Sequence, residues 1–206
     1  MERRPDIRAL LFDLGNVIVR IDFERALAAW QPHSRLAPEA LRAAFCADEP
    51  YQRHETGALD SEGYFAHLRE RLQLGCAADR IRDGWNALLL EPIEQTLALV
   101  DQLRARLPCY VLSNTNPAHI AHLRAVRPGL LERFDGVFLS HEIGCRKPEP
   151  QAFAASVRAI GVPAGQVLFF DDLAQNVEAA RACGLEAALV TQPDDVRREL
   201  AARGLV

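Results

Sequence analysis

Five short apolar runs limit what this chain can fold into. They are Ala9–Phe12, Tyr110–Leu112, Gly136–Leu139, Val167–Phe170 and Ala187–Val190. Turn or cap residues bound each run, and none alternates apolar with polar residues. A strand with one wet face would alternate, so continuous runs of this length predict a parallel sheet covered on both faces. Helical patterns separate the last four. Glu94–Arg106 carries Leu97, Val100 and Leu103 at helical spacing, Gln151–Ile160 stops at Gly161, and Gln175–Cys183 stops at Gly184. Strands alternating with helices in this way predict a doubly wound α/β core.

The rhythm breaks once. The stretch from about Ile21 to Leu90 reads as helices only, with candidates at Phe23–Trp30, Pro38–Phe45, Ser61–Leu72 and Ala77–Leu90. It is too long for a loop. The expected organisation is a core formed by residues 1–20 and 91–206, with a small helical cap, 21–90, inserted after the first strand. Ligands of open α/β sheets bind beyond the carboxyl ends of the strands, so an insertion leaving that edge can cover the site and select the substrate.

At 206 residues and 49% hydrophobic composition, the chain has enough apolar surface for a packed core without disulfide or zinc staples. A net charge of −4 argues against a nucleic-acid partner. Five scattered cysteines without a Cys-x-x-Cys pair suit buried thiols in a reducing cytoplasm. The start Met1-Glu2-Arg3-Arg4 leads into an apolar stretch that Asp13 interrupts, and neither a signal peptide nor a membrane span is expected. A cytoplasmic monomer without membrane contact is the expectation. Of the 24 basic residues, Lys147 alone is lysine. In a composition so biased to arginine, that residue is worth tracking.

The residues after the strands carry the chemistry. Asp13-Leu14-Gly15-Asn16 follows the first and Ser113-Asn114-Thr115-Asn116 the second. Arg146-Lys147-Pro148 lies beyond the third, and Asp171-Asp172 follows the fourth. Singly, each is explained as a helix cap or turn. Together, on one edge of one sheet, they are hard to explain as caps. A carboxylate at a strand end, such as Asp13, is presented rigidly and can attack phosphorus to form an acyl phosphate. Asp13, Asp171 and Asp172 would repel a phosphomonoester dianion unless a cation lay between, and hard oxygen ligands beside phosphate favour Mg²⁺. Asp172, four residues before Asn176, is the preferred direct ligand from this strand. Asp171 is either a second ligand or a supporting group.

In these segments (Leu11-Phe12-Asp13-Leu14-Gly15-Asn16-Val17, Val111-Leu112-Ser113-Asn114-Thr115, Arg146-Lys147-Pro148 and Phe169-Phe170-Asp171-Asp172) the chain resembles the haloacid dehalogenase-like hydrolases. Within them it looks most like bacterial α-D-glucose-1-phosphate phosphatases, which also share a Gly-Trp, here Gly84-Trp85. The resemblance implies a phosphatase of a small phosphorylated metabolite, a sugar phosphate above all. It implies Asp13 as nucleophile, the Gly15 carbonyl as a further metal ligand, Ser113 and Asn114 on the phosphoryl oxygens, and Lys147 against phosphate and Asp13. By analogy with a similar His-Glu in the subgroup, His54 and Glu55 are candidate sugar-binding residues. The competing reading makes Trp30 and Trp85 cap core and His54-Glu55 a solvated turn.

One position departs from most phosphatases of the family. They carry an acid/base Asp two residues after the nucleophile, where this chain has Gly15. Losing such a group commonly costs about 10²–10⁴-fold in rate. An acidic leaving group such as an anomeric hydroxyl would soften that loss. The alternatives are a metal-free haloacid dehalogenase using Asp13, whose halide needs no proton, and an inactive phosphate-binding module.

Overall fold

The computed structural model describes residues 6–206. The Met1–Arg4 start, and with it the first five residues of the expected core segment, lies outside the described residues. The central sheet is parallel throughout, in the order β5-β4-β1-β6-β7: β1 Ala9–Phe12, β4 Cys109–Ser113, β5 Gly136–Leu139, β6 Val167–Asp171 and β7 Glu186–Leu189. The burial pattern explains the continuous apolar runs, because alternate side chains serve opposite faces. Leu10, Phe12, Val111 and Phe170 pack with Leu97, Leu103, Ile120 and Leu200. Leu11, Leu112 and Phe169 pack on the other face with Phe153, Val177 and Ala180. These partners come from α6 (Glu94–Leu103), α7 (Pro117–Val126) and α11 (Asp194–Ala202) on one side, and α9 (Pro150–Ile160) and α10 (Ala174–Ala182) on the other. The chain leaves β1 towards β4 and β5, then returns to β6 on the other side of β1. That reversal opens a crevice at the carboxyl ends of β1, β4 and β6.

The insertion departs from the sequence reading. It is not helical throughout. An antiparallel pair, β2 (Val19–Ile21) and β3 (Leu89–Pro92), carries the chain out and back. The last cap helix therefore ends at Asn86 and not at Leu90, because Leu89 pairs with Ile21. Between the strands lie α1 (Phe23–Trp30), α2 (Pro38–Ala44), α3 (Glu49–Glu55), α4 (Ser61–Arg71) and α5 (Ala78–Asn86). Helix α3 was not expected. Asp48 caps it by accepting the Tyr51 N–H at 3.1 Å, and Pro50 sits in its first turn. The cap has its own core, in which Trp30 and Trp85 stack with ring centroids 6.3 Å apart amid Leu41, Tyr64, Leu68 and Ile81. Both tryptophans are thus cap core. A four-residue helix, α8 (Ser140–Ile143), follows β5 and ends at Gly144, whose φ of 74° is left-handed. Among the described residues, no helix is long and apolar enough to cross a membrane. All five cysteines are free thiols.

Candidate active site

Asp13 follows β1 directly, and its N–H donates to the Phe170 carbonyl at 2.8 Å, continuing the ladder to β6. Its Oδ1 accepts the Leu14 N–H at 2.7 Å and lies 2.8 Å from Lys147 Nζ. Lys147, in the loop between α8 and α9, is 1% exposed, which excludes a solvated surface role. Its ammonium also donates to Asp171 Oδ2 at 2.6 Å and sits 5.3 Å from the Phe169 ring centroid. Asn114 fixes that loop reciprocally, donating to the Lys147 carbonyl and accepting the Lys147 N–H, both at 2.8 Å.

The two acidic residues at the end of β6 have different surroundings. Asp171 is fully buried, and its Oδ1 accepts the Leu173 N–H and the Asn176 amide at 2.9 Å each. With Oδ2 on Lys147, both its oxygens are engaged. The Asn176 spacing therefore serves Asp171, at the start of α10, and not Asp172. Asp172 is half-buried and accepts the Asn16 amide at 2.9 Å on Oδ2. Asn16, at φ 54°, is itself fixed through its Oδ1, which accepts the Ile21 N–H at 3.1 Å.

Carboxylate oxygens of Asp13, Asp171 and Asp172 lie within 4.8 Å of one another. One ammonium cannot neutralise three carboxylates, and the titration of the groups reflects the shortfall. Burial pushes Asp13 up to about 7, Lys147 opposes the rise, and the charges of Asp171 and Asp172 add to it. Burial also raises Asp172, against the Asn16 hydrogen bond that lowers it. Burial alone would lower Lys147, yet Asp13 and Asp171 hold it above its ordinary value. A clustered, all-oxygen, charge-deficient site of this kind fits a hard divalent cation. Of this cluster, Asp13 and Asp172 could hold one.

These residues floor a cavity of about 440 Å³ between core and cap. Ser113, Asn114 and Thr115 line one side and Gly15 and Asn16 another, while Phe23, Tyr51, Glu55 and Leu88 close it from the cap. Two expectations need correction. His54 does not line the cavity: it is 1% exposed, its ring stacks on Tyr64 with centroids 4.4 Å apart, and its Nε2 meets Ser61 Oγ at 3.1 Å. Burial lowers its pKa to about 4, so it is a neutral member of the cap core. Asn114 does line the cavity, but its side-chain amide is committed to Lys147. Neither His54 nor Glu55 is a solvated turn. Glu55 faces the cavity, paired with Arg146, whose Nε and a terminal nitrogen both reach Glu55 Oε2 at 2.8 Å.

Sequence reasoning missed Arg146, Asn16 and His119 as lining residues. For Arg146, being next to Lys147 was the available signal. His119 gave only a helical position. It stacks on Trp85 with centroids 4.5 Å apart, and its Nε2 lies 3.2 Å from the Trp85 carbonyl. Its Nδ1 lies 3.0 Å from the amide of Asn116, the residue that caps α7.

The sequence matches the haloacid dehalogenase-like hydrolase family over residues 7–184. A phosphatase of Mycobacterium tuberculosis is 32% identical, over 97% of this chain and 96% of that protein. The D-ribitol-5-phosphate phosphatase of Bacteroides thetaiotaomicron is 25% identical, over 94% of this chain and 97% of its own length. A HAD family enzyme of the same bacterium, solved in complex with magnesium and inorganic phosphate, superposes with a TM-score of 0.78 at 25% identity, covering 89% of this chain and 93% of that one. The L-2-haloacid dehalogenase of Xanthobacter autotrophicus shares the fold at a TM-score of 0.62 and 23% identity, covering 97% of this chain and 84% of that one. With the parallel core, the strand-edge carboxylates and a match over most of its length, this chain belongs to the haloacid dehalogenase-like hydrolase family.

Proposed function

We propose that this chain is a Mg²⁺-dependent phosphomonoesterase that hydrolyses a small sugar phosphate through an aspartyl-phosphate on Asp13. The observation that carries the reading is the placement of Asp13 on the floor of a capped cavity, between a buried lysine and Asp172. The Leu14 N–H and Lys147 fix the Asp13 carboxylate, so its attack on phosphorus needs little reorientation. That attack breaks the ester P–O bond and releases the alcohol. Water then attacks the aspartyl-phosphate and frees Asp13 and phosphate. Lys147 offsets charge on Asp13 and on a phosphoryl oxygen throughout. Ser113, at the end of β4, can donate its hydroxyl to a second oxygen. A Mg²⁺ held by Asp13, Asp172 and the Gly15 carbonyl would offset phosphoryl charge and draw the phosphate to the nucleophile. The cap covers the cavity and limits the water that reaches the reacting atoms.

A metal-free dehalogenase would leave the Asp172 charge uncompensated beside Asp13, so that reading is not favoured. An inactive module would have no need of the buried Asp13–Lys147–Asp171 arrangement. The similarity to a D-ribitol-5-phosphate phosphatase makes a polyol phosphate a test substrate beside glucose 1-phosphate. The experiment is phosphate release from p-nitrophenyl phosphate, glucose 1-phosphate and ribitol 5-phosphate, with Mg²⁺ and with chelator. Mg²⁺-dependent release that Asp13→Asn abolishes is expected. No release from any ester, with halide release from 2-chloropropionate, would overturn the reading.

A further inference from the structure

The phosphatase chemistry needs a proton for the leaving oxygen, and position 15 cannot supply it. A Cβ built on Gly15 would lie 3.1 Å from Ile21 Cδ1, so the Ile21 side chain packs where a side chain at position 15 would start. The donor must come from elsewhere on the cavity wall. We propose that Glu55 is the proton-transfer group of this site, protonating the leaving oxygen and then taking a proton from the attacking water. The proposal rests on the phosphatase reading and deepens it.

Elimination among the lining residues supports Glu55. Asp13 and Asp172 are committed to nucleophile and cation. Both ring nitrogens of His119 are engaged, by Asn116 and by the Trp85 carbonyl. Burial takes its pKa down to about 3, so it holds no spare proton at neutral pH. The Tyr51 phenol is held well above its usual range by burial and by Glu55, so it does not give up its proton near neutral pH. Arg146 and Lys147 are permanent cations here. Glu55 is the one remaining lining carboxyl.

Its position suits the task. Glu55 ends α3, on the cap side of the cavity, where the leaving group of an ester seated phosphate-down on the core would lie. It is bound to Arg146, and Asp13 is bound to Lys147, so adjacent residues of one loop carry the two carboxylates. Arg146 fixes the Glu55 carboxyl through Oε2, and the negative end of α3 disfavours its charged form. Burial raises its pKa, Arg146 and Tyr51 oppose the rise, and the balance stays above the ordinary carboxylate value. That is the direction a neutral-pH acid/base needs.

The steps balance. Asp13 forms its bond to phosphorus as the ester P–O bond breaks, and the departing oxygen takes the Glu55 proton. Water then gives a proton back to Glu55 while its oxygen bonds phosphorus, and the Asp13–phosphorus bond breaks with its electron pair returning to Asp13.

The test is a leaving-group series, p-nitrophenyl phosphate, phenyl phosphate, glucose 1-phosphate and ribitol 5-phosphate, on wild type, Glu55→Gln and Glu55→Asp with Mg²⁺. For Glu55→Gln, kcat/KM should fall about 10²–10⁴-fold on ribitol 5-phosphate and far less on p-nitrophenyl phosphate, whose phenolate leaves unprotonated. On p-nitrophenyl phosphate the variant should show a burst of nitrophenolate, because water attack on the aspartyl-phosphate has lost its base. Glu55→Asp, which keeps the carboxyl, should retain part of the rate and an intermediate sensitivity to the leaving group. An equal loss on every ester, or a rise in KM alone, without a burst, would reduce Glu55 to a cap contact. If Glu55→Gln does not fold, an unchanged leaving-group dependence in Glu55→Asp overturns the proposal. A wild type inert on all four esters would sink the phosphatase reading itself, which is a different result.

Discussion

Burying an ammonium costs several kcal/mol unless carboxylates surround it, and Lys147 is buried with Asp13 and Asp171 at 2.8 and 2.6 Å. Removing its charge strands the carboxylates. Lys147→Met should cost about 3–5 kcal/mol in metal-free protein, with part recovered on adding Mg²⁺, read as thermal unfolding with and without the ion. Lys147→Arg keeps the charge, but a planar guanidinium does not fit where a compact ammonium bridges two carboxylates, and most activity should be lost. Asp171 and Asp172 should separate in a Mg²⁺ titration. Asp172→Asn should raise the Mg²⁺ needed for half-maximal rate with little loss of stability. Asp171→Asn should destabilise the fold, since that carboxylate holds Lys147, the Leu173 N–H and Asn176. The lone lysine was legible in the sequence as an anomaly. The engagement of the Asn114 amide was not, because its partner lies 33 positions away and only the fold brings them together.

The elements that the sequence makes legible are those whose apolar pattern follows from two-sided burial. Strands β1 and β5 have the expected bounds, since every position in them is held by the sheet. The β2–β3 ribbon was not legible, because Arg20 and Glu91 sit within it and its strands are too short for a pattern. Helix α3 carries a readable start in Asp48-Glu49-Pro50, but its seven residues are too few for a periodic apolar pattern. Whether Glu55 faces the cavity and His54 the cap core depends on where Tyr64 and Ser61 of α4 lie, which no local pattern reveals. Tertiary packing also reverses a propensity argument in α5. Glycine in a helix interior is worse than alanine by about 1 kcal/mol, so Gly84→Ala would stabilise an isolated helix. Here a Cβ at position 84 would lie 2.2 Å from Trp30 Nε1, the group that donates to the Ile81 carbonyl at 3.0 Å. Forcing Trp30 aside should turn the gain into a loss of about 1–3 kcal/mol, measurable by chemical denaturation.

The buried histidines and Asp13 respond to acid in opposite directions, and their sum shapes the pH dependence of stability. His54 and His119 are held neutral by burial, at about 4 and about 3 against an ordinary value of 6.5. From pH 6.5 downwards the unfolded chain binds protons that the folded chain refuses, so stability is lost as pH falls, by about 1.4 kcal/mol per pH unit for each histidine. Asp13 behaves oppositely in the metal-free protein. Burial lifts it from 3.8 to about 7, so across that window the folded chain keeps a proton that the unfolded chain releases. Its contribution is present at low pH and lost as pH rises towards 7. The contributions partly cancel, and single variants should unmask them. With chelator present, Asp13→Asn should lose stability more steeply than wild type between pH 7 and pH 5. His119→Gln, which removes one refused proton, should lose it less steeply. Urea unfolding at pH 5, 6 and 7 reads both slopes. The comparison uses slopes because each substitution also changes packing by an amount that does not vary with pH. If both variants shift the slope in the same direction, the buried histidines and Asp13 do not oppose each other in this way.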